Sequence, residues 1–435
     1  EFGRGGCVIL DKIIKARHMT RAVNATKRLL SERGESNAAS MACDLIEQYA
    51  LLDDDQRDQY FDYLAEKLNP SAADVLSAAQ SYASDPSADH LIWLMRVAEA
   101  PRQELFRRLN RAPRGTAMII NMRQQLLKTL NKRPQLRAVD ADLQHLLTSW
   151  FNPGFLQMHQ VDWTSPAHIL EKIIQHEAVH EIDGWDDLRR RLQPDRRCFA
   201  FFHPQLQDEP LIFVEVALLP EIPEAIGPLV DKKSAPVEPN QYKCAIFYSI
   251  SNCQPGLRGV SMGNFLIKRV ADSLKKEFPS LKTFCTLSPI PGFIDWLHGG
   301  ADLPVDKIKP AVIERYQEAI KLFNLKEKAW NDRLQDGWHP DRASAKEKEA
   351  LLALCSIYLM HYSPKRGGNS VAKFHLGNGA KLHRINWSGD LSKKGIKQSA
   401  GLMVNYLYDL DKVEDNHERF VNGEVIYSRA VSQLI

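Results

Sequence analysis

Apolar and polar positions along this chain change their period once, near residue 154. From Asp11 to about Trp150 good helix formers dominate, and periodic segments at 40–49, 55–68, 71–83 and 91–97 are separated by prolines and small polar residues that stop helices. Arg114-Gly115 marks a junction before the amphipathic stretch 118–130, and 140–150 predicts a last helix before the Asn152-Pro-Gly154 break. The opening residues 1–7 carry no structural pattern. Beyond the break strands and helices mix. Residues 155–161 alternate, 167–181 read as a helix, and 197–203 with 211–218 read as a hairpin. A charged helical insertion spans about 304–362, strand pattern resumes at Val371, and 401–410 reads as a closing strand.

These periods predict an α+β chain in two parts, an all-helical domain over 1–154 and a mixed domain over 155–435. The length of 435 residues and 44% hydrophobic content suffice for more than one core. No apolar run approaches the roughly 18 to 20 residues that span a bilayer, so no membrane association is expected. A net charge of +3 with acids and bases interspersed argues against nucleic acid, which calls for a basic stripe. The seven cysteines are scattered with no CxxC pair, as expected of a reducing compartment and not of a structural zinc site.

Candidate chemistry concentrates between 244 and 293. Cys244-Ala-Ile-Phe-Tyr-Ser-Ile250 is a strand pattern ended by the turn formers Asn252, Gln254, Pro255 and Gly256. Arg258-Gly-Val-Ser-Met-Gly-Asn264 follows, immediately before a segment in which Met262, Leu266, Val270, Leu274 and Phe278 fall four apart. A helix therefore begins at the loop, and free N–H groups at a helix start suit a pyrophosphate. Taken alone, the same loop reads as an ordinary turn and cap. A second strand, Thr283-Phe-Cys-Thr-Leu287, delivers Ser288; side-chain alternation puts Ser288 with Thr286 and Phe284, and Cys285 with Leu287 on the other face. That argues against a thiol hydrolase built on Cys285 and His375. His176-Glu177-Ala-Val-His180 satisfies the HExxH zinc-protease pattern on the expected helix, but no third histidine follows at a recognised spacing.

Arg258-x-x-Ser261-x-Gly263 is similar to the pyrophosphate loop of the GCN5-related N-acetyltransferase (GNAT) fold, with serine in place of its first glycine. Together with Leu287-Ser-Pro-Ile-Pro-Gly-Phe293, Phe374-His-Leu-Gly-Asn-Gly-Ala380, Arg384-Ile-Asn-Trp387 and Gly401-Leu-Met-Val-Asn-Tyr406, it resembles malonyl-CoA decarboxylase. The resemblance implies a GNAT-like catalytic domain after a helical domain that joins subunits as a dimer or tetramer and makes no CoA contact the chemistry needs. It implies conversion of malonyl-CoA to acetyl-CoA and CO2, within fatty acid metabolism, without any cofactor or metal. Malonyl-CoA would lie against Arg258, Gly259, Val260, Ser261, Met262, Gly263, Asn264, Ser288 and His375. Ser288 and His375 would be catalytic, as proton acceptor and proton donor. Decarboxylation needs no base, so the role expected of Ser288 is to orient the carboxylate. Gly377 and Gly379 would let the backbone pass close to ligand. Some family members carry a C-terminal peroxisomal tripeptide; this chain ends Val-Ser-Gln-Leu-Ile435, and a bacterial cytoplasmic enzyme is expected. An acyl-CoA-dependent N-acetyltransferase and a noncatalytic acyl-CoA sensor are the alternatives; release of CO2 separates them from the decarboxylase.

Overall fold

The computed structural model describes residues 2–31, 37–206, 208–260, 266–303, 308–325, 337–364 and 368–435, with side chains from Ala16 onward. It divides into two compact units. One is Glu1–Gln157 with Phe202–Leu211 and Gln254–Met262; the other is Met158–Phe201, Ile212–Cys253 and Gly263–Ile435.

The first unit is helical: α1 (Phe2–Leu30), α2 (Ala38–Ala50), α3 (Asp54–Lys67), α4 (Ala72–Ser84), α5 (Ala88–Ala98), α6 (Pro101–Asn110), α7 (Gly115–Thr129) and α8 (Arg137–Trp150). Local signals set the starts. Asp53 and Gln56 form a reciprocal capping box at α3, Ser71 and Ser87 cap α4 and α5, and Pro101 opens α6. Leu45, Phe61, Leu64, Leu105, Phe106, Leu109, Met122, Leu143 and Leu147 fill the core. The opening residues, patternless in sequence, belong to α1 from Phe2. The packed half of that helix buries Ala22, Ala25 and Leu29, and extending a nucleated helix costs far less than starting one.

The chain segment just before the glycine loop packs in this helical unit. The Arg123 guanidinium, only 2% exposed, is held by Asp140 at 2.8 Å and donates to the Gly256 carbonyl at 2.9 Å. A Cβ on Gly256 would stand 2.1 Å from the Ile120 carbonyl oxygen, so only glycine fits. The Gln144 amide donates to the Gly259 carbonyl at 2.8 Å. The helical residues thus brace the loop as well as one another.

The second unit is built on a sheet ordered β1 (Gln157–Val161), β2 (Arg196–Phe202), β3 (Ile212–Leu219), β4 (Cys244–Asn252), β5 (Thr283–Thr286), β8 (Met403–Tyr408), β6 (Ser288–Pro289), with β7 (Lys381–Asn386) also on β8. The hairpin of β2 and β3 forms as the alternation predicts, β3 pairs antiparallel with β4, β4 parallel with β5, and β5 antiparallel with β8. α9 (Ala167–His176), α10 (Gly184–Arg191), α11 (Gly227–Val230), α12 (Leu266–Glu277) and α13 (Phe293–His298) come before the insertion. The insertion itself contributes α14 (Pro310–Phe323) and α15 (Ala345–Ile357), and α16 (Ser370–Gly377), α17 (Lys393–Ser399), α18 (Val413–Val421) and α19 (Arg429–Ser432) follow. α12 buries Leu266, Ile267, Val270, Ala271 and Leu274, the stripe read from sequence. The fold is α+β, an all-helical unit followed by a mixed one built on the sheet. Among the described residues no helix is long and apolar enough to cross a membrane.

Two elements differ from the sequence reading. The helix expected over 167–181 ends at His176, because the Glu177 carboxylate turns back to accept from the N–H groups of Val179 and His180, each at 2.8 Å. The strand expected from Val371 is α16; the Asn369 side chain accepts from the N–H groups of Val371 and Ala372 and nucleates a helix there.

Breaking the Arg123 brace strands the Asp140 carboxylate and frees the loop. Arg123→Met should lower stability by about 3 kcal/mol in denaturant unfolding and speed proteolytic cleavage near 254–260. An unchanged midpoint and cleavage rate would mean that the brace carries no load.

Candidate active site

The site arises where two parallel neighbours part. β4 and β5 are paired from Cys244–Thr283 to Phe247–Thr286, and the Leu287 N–H still donates to the Phe247 carbonyl at 3.1 Å. After that Ser288 pairs with Val404 of β8 instead. The departure has two anchors on the β5 side. Asn405, fully buried, donates to the Thr286 carbonyl at 2.8 Å, and the Tyr406 N–H donates to Thr286 Oγ1 at 3.1 Å. On β4 the register against β3 slips between Glu215 and Val216, with Val216 opposite Phe247 and Glu215 opposite Ser249, so Tyr248 is an extra, bulged residue. A bulge bends and twists its strand, here at the point where β5 leaves.

Glu177 holds the outgoing half of β4. Ser249 Oγ lies 2.8 and 2.7 Å from its two carboxylate oxygens and Ser251 Oγ donates at 3.2 Å, while Ser251 Oγ accepts from the Ala178 N–H at 3.1 Å. The Lys394 ammonium donates to the carbonyls of Ala178 and Val179, each at 2.9 Å. The strap 177–180 is therefore tied at both edges. Its Val179 forms one wall of a cavity of about 220 Å³ lined also by Phe247, Ile250, Asn252, Ser288, Ser370, Val371, Phe374 and His375.

Ser288 and His375 meet in that cavity. His375 Nε2 stands 3.2 Å from Ser288 Oγ, Ser288 donates to Thr286 Oγ1 at 2.9 Å, and His375 Nδ1 stands 2.9 Å from the Tyr408 hydroxyl. With the serine proton committed to Thr286, Ser288 accepts from Nε2–H, and Nδ1 accepts from Tyr408. Burial pushes the His375 pKa down to about 3, so its ring is neutral near pH 7, and burial holds the Tyr408 phenol well above its ordinary value and protonated. The Tyr406 ring stacks on the imidazole at a centroid distance of 4.8 Å. A neutral imidazole with its proton aimed into a small cavity, beside a hydroxyl, can bind a carboxylate and deliver a proton.

Other candidates are placed differently. Cys285 and Leu287 lie in the core cluster with Ile246, Tyr248 and Met403, on the face away from Ser288, and burial pushes the Cys285 thiol up to about 12. His176 ends a helix and His180 follows a turn, so the HExxH pair does not share a helical face. Glu177 is taken up by β4, burial pushes His180 down to about 4, and among the described residues no three His, Cys, Asp or Glu side chains gather as metal ligands. Gly379, at positive φ, faces the Val413 carbonyl, which a Cβ would approach to 2.0 Å, and Gly377 lies against Phe420. Arg258 and Gly259 are exposed and Val260 is buried in the helical unit, while Ser261, Met262, Gly263 and Asn264 lie outside the described residues. Sequence reasoning missed Tyr408, Asn405 and the Ser249–Glu177 pairing. The polar alternation Ser249, Ser251 within an apolar strand was the available signal for the last of these.

The family model for the malonyl-CoA decarboxylase C-terminal domain matches residues 154–435, and the model for its N-terminal domain matches 68–151. Mitochondrial malonyl-CoA decarboxylase of Mus musculus is 37% identical over 366 residues, covering 78% of this chain and 72% of the relative. The crystal structure of malonyl-CoA decarboxylase from Rhodopseudomonas palustris aligns with a TM-score of 0.83 at 43% identity, over 95% of this chain and 99% of that one. The one from Agrobacterium vitis aligns with a TM-score of 0.79 at 43% identity over the same shares. The C-terminal model covers more than half of the chain, and the mouse relative is matched over more than two thirds of both sequences: the chain belongs to the malonyl-CoA decarboxylase family.

Proposed function

We propose that the chain is a carbon–carbon lyase that converts malonyl-CoA to acetyl-CoA and CO2, with Ser288 and His375 as its reacting pair. The observation that carries this reading is the cavity in which a buried His375 faces Ser288. Six free cysteines among the described residues support a reducing, cytoplasmic setting, as in a bacterial cell.

In a malonyl thioester the carboxylate is β to a carbonyl, so loss of CO2 leaves an enolate on the thioester oxygen. Backbone N–H groups of β4 past Phe247, where β5 has departed, are the proposed oxyanion donors. The loop 258–264 is proposed to hold the pyrophosphate, with its braced segment keeping it in register. Ser288 orients the substrate carboxylate out of the thioester plane.

The proton balance explains the buried neutral imidazole. Malonyl-CoA plus one proton gives acetyl-CoA and CO2, so one proton must be taken up in each turnover. A carboxylate entering beside His375 raises the imidazole pKa from its depressed value, and the ring is protonated as the complex forms. Loss of CO2 moves the negative charge onto the enolate, and Nε2–H is transferred to its carbon, leaving acetyl-CoA and a neutral ring. No cofactor is required in this scheme.

His375→Asn keeps polarity but supplies no transferable proton, and should lower kcat about a hundredfold with little change in malonyl-CoA affinity, while Cys285→Ala stays near wild type. Wild-type kcat should fall as pH rises past the His375 pKa of the complex, a limb that His375→Asn lacks. Folded His375 has a depressed pKa, so its share of stability is present above about pH 6.5 and is lost as pH falls toward about 3. Thermal melting against pH should show that acid loss diminished in His375→Asn. Normal CO2 release by His375→Asn sinks the mechanism even if the family stands.

Ser249→Ala should loosen the outgoing half of β4 without touching the reacting pair. The expected outcome is a lower kcat, about tenfold, at unchanged CoA affinity. An equal rise in the dissociation constant for CoA itself would instead assign Ser249 to binding.

The helical unit is proposed to assemble subunits. α5 buries none of its residues and leaves Leu91, Ile92, Trp93 and Met95 exposed beside Leu76 of α4, an apolar hairpin face that suits a second copy of this chain. Ile92→Glu with Met95→Lys should shift sedimentation from oligomer to monomer. A monomeric unsubstituted chain removes the proposal.

A further inference from the structure

Away from the parted strands, the helical unit holds a cavity of about 330 Å³ between the end of α2, the start of α3 and one face of α7. Ile46, Ala50, Ala117 and Met118 make its apolar floor. Two donors of its polar wall, the Tyr49 hydroxyl and Nε of Arg57, stand out. Tyr49 is only 6% exposed, yet among the described residues its hydroxyl has no hydrogen-bond partner, and Nε of Arg57 is likewise buried and unpaired there. Arg57 lies over the Tyr49 ring, 5.9 Å from its centroid, and only its NH1 end is engaged, with the exposed Asp54 at 3.1 Å. Arg114 and the amides of Asn121 and Gln125 complete the wall, and among the described residues no carboxylate lines the cavity. Arg114 stands at the head of α7 with φ of 65°, a left-handed conformation that a long side chain adopts at a cost.

A buried hydroxyl and a buried guanidinium nitrogen left unsatisfied each cost free energy that water or a ligand would recover. The volume falls in the range of small-molecule sites, and its pairing of apolar floor with convergent polar groups is their usual make-up. Two guanidinium groups and a phenol offer donors in the planar, forked geometry that matches carboxylate and phosphate oxygens.

We propose that this cavity binds a small organic anion, a carboxylate or phosphate monoester carried on an apolar body, at a site separate from the decarboxylation chemistry. The anionic head engages Arg57 Nε, Arg114 and the Tyr49 hydroxyl, and the body lies on Ile46 and Met118. Neither Arg57 nor Tyr49 is assigned to substrate or to the reacting pair, so the site stands whether or not the proposed reaction does.

Calorimetric titration of the full-length protein with phenylacetate and with phenyl phosphate tests it, with phenethyl alcohol as the neutral control. Saturable binding of at least one anion, and none of the alcohol, is expected; the stronger of the two tells whether the head group is carboxylate or phosphate. Arg114→Gln, at an exposed position with no fold-supporting partner, should weaken binding about tenfold, the loss of one charge-assisted contact. Tyr49→Phe should weaken it by a smaller factor, and His375→Asn should leave it unchanged. Absence of saturable binding, affinity equal in wild type and Arg114→Gln, or loss in His375→Asn would each overturn the proposal. Circular dichroism of each variant establishes that the fold is intact.

Discussion

Everything at the site depends on two parallel strands ceasing to be neighbours. A sheet interior normally satisfies its backbone through the next strand, so parting β4 from β5 leaves polar groups that something else must meet. On one side Asn405 and Thr286 tie the end of β5 to β8, and on the other Glu177 gathers Ser249 and Ser251. The Tyr248 bulge supplies the change of direction. The opening is thus a maintained gap with its own fastenings, and the cavity and the meeting of Ser288 with His375 exist because that gap is held open.

How much of this could be read from the sequence depends on the range of each interaction. Helices α2 to α5, α7 and α8 were legible because the spacing of apolar residues acts within one or two turns, whereas α6 (Pro101–Asn110) is absent from the sequence reading. The β2–β3 hairpin and the opposite facing of Ser288 and Cys285 followed from strand alternation in the same way. The end of α9 was not legible, since Glu177 leaves the helix for serines more than seventy positions away. α16 was misread for a different reason: Val371, Phe374 and Leu376 suit a strand as well as a helix, and the choice rests on the single cap at Asn369. The pairing of His375 with Ser288 came from motif resemblance; the burial that makes the ring neutral, and the Tyr408 hydroxyl behind it, required the folded chain.

The helical unit also braces a distant segment of the chain. Arg123 and Gln144 reach the carbonyls of Gly256 and Gly259, so residues separated by more than a hundred positions fix the conformation of the segment that enters the glycine loop. Loop order in most proteins is local or is set by the ligand. Here an all-helical scaffold does part of that work in advance, through the carbonyls of Gly256 and Gly259.

The two halves of the reacting pair ride on different carriers. Ser288 belongs to the sheet through its pairing with Val404, whereas His375 belongs to α16, a helix of eight residues whose far end is fastened by the Asn416 amide at the Gly379 carbonyl. Short helices open and close at lower free energy than the sheet beneath them. The spacing of Ser288 and His375 is therefore set at the joint between sheet and short helix, and packing changes around α18 can alter it without altering either side chain.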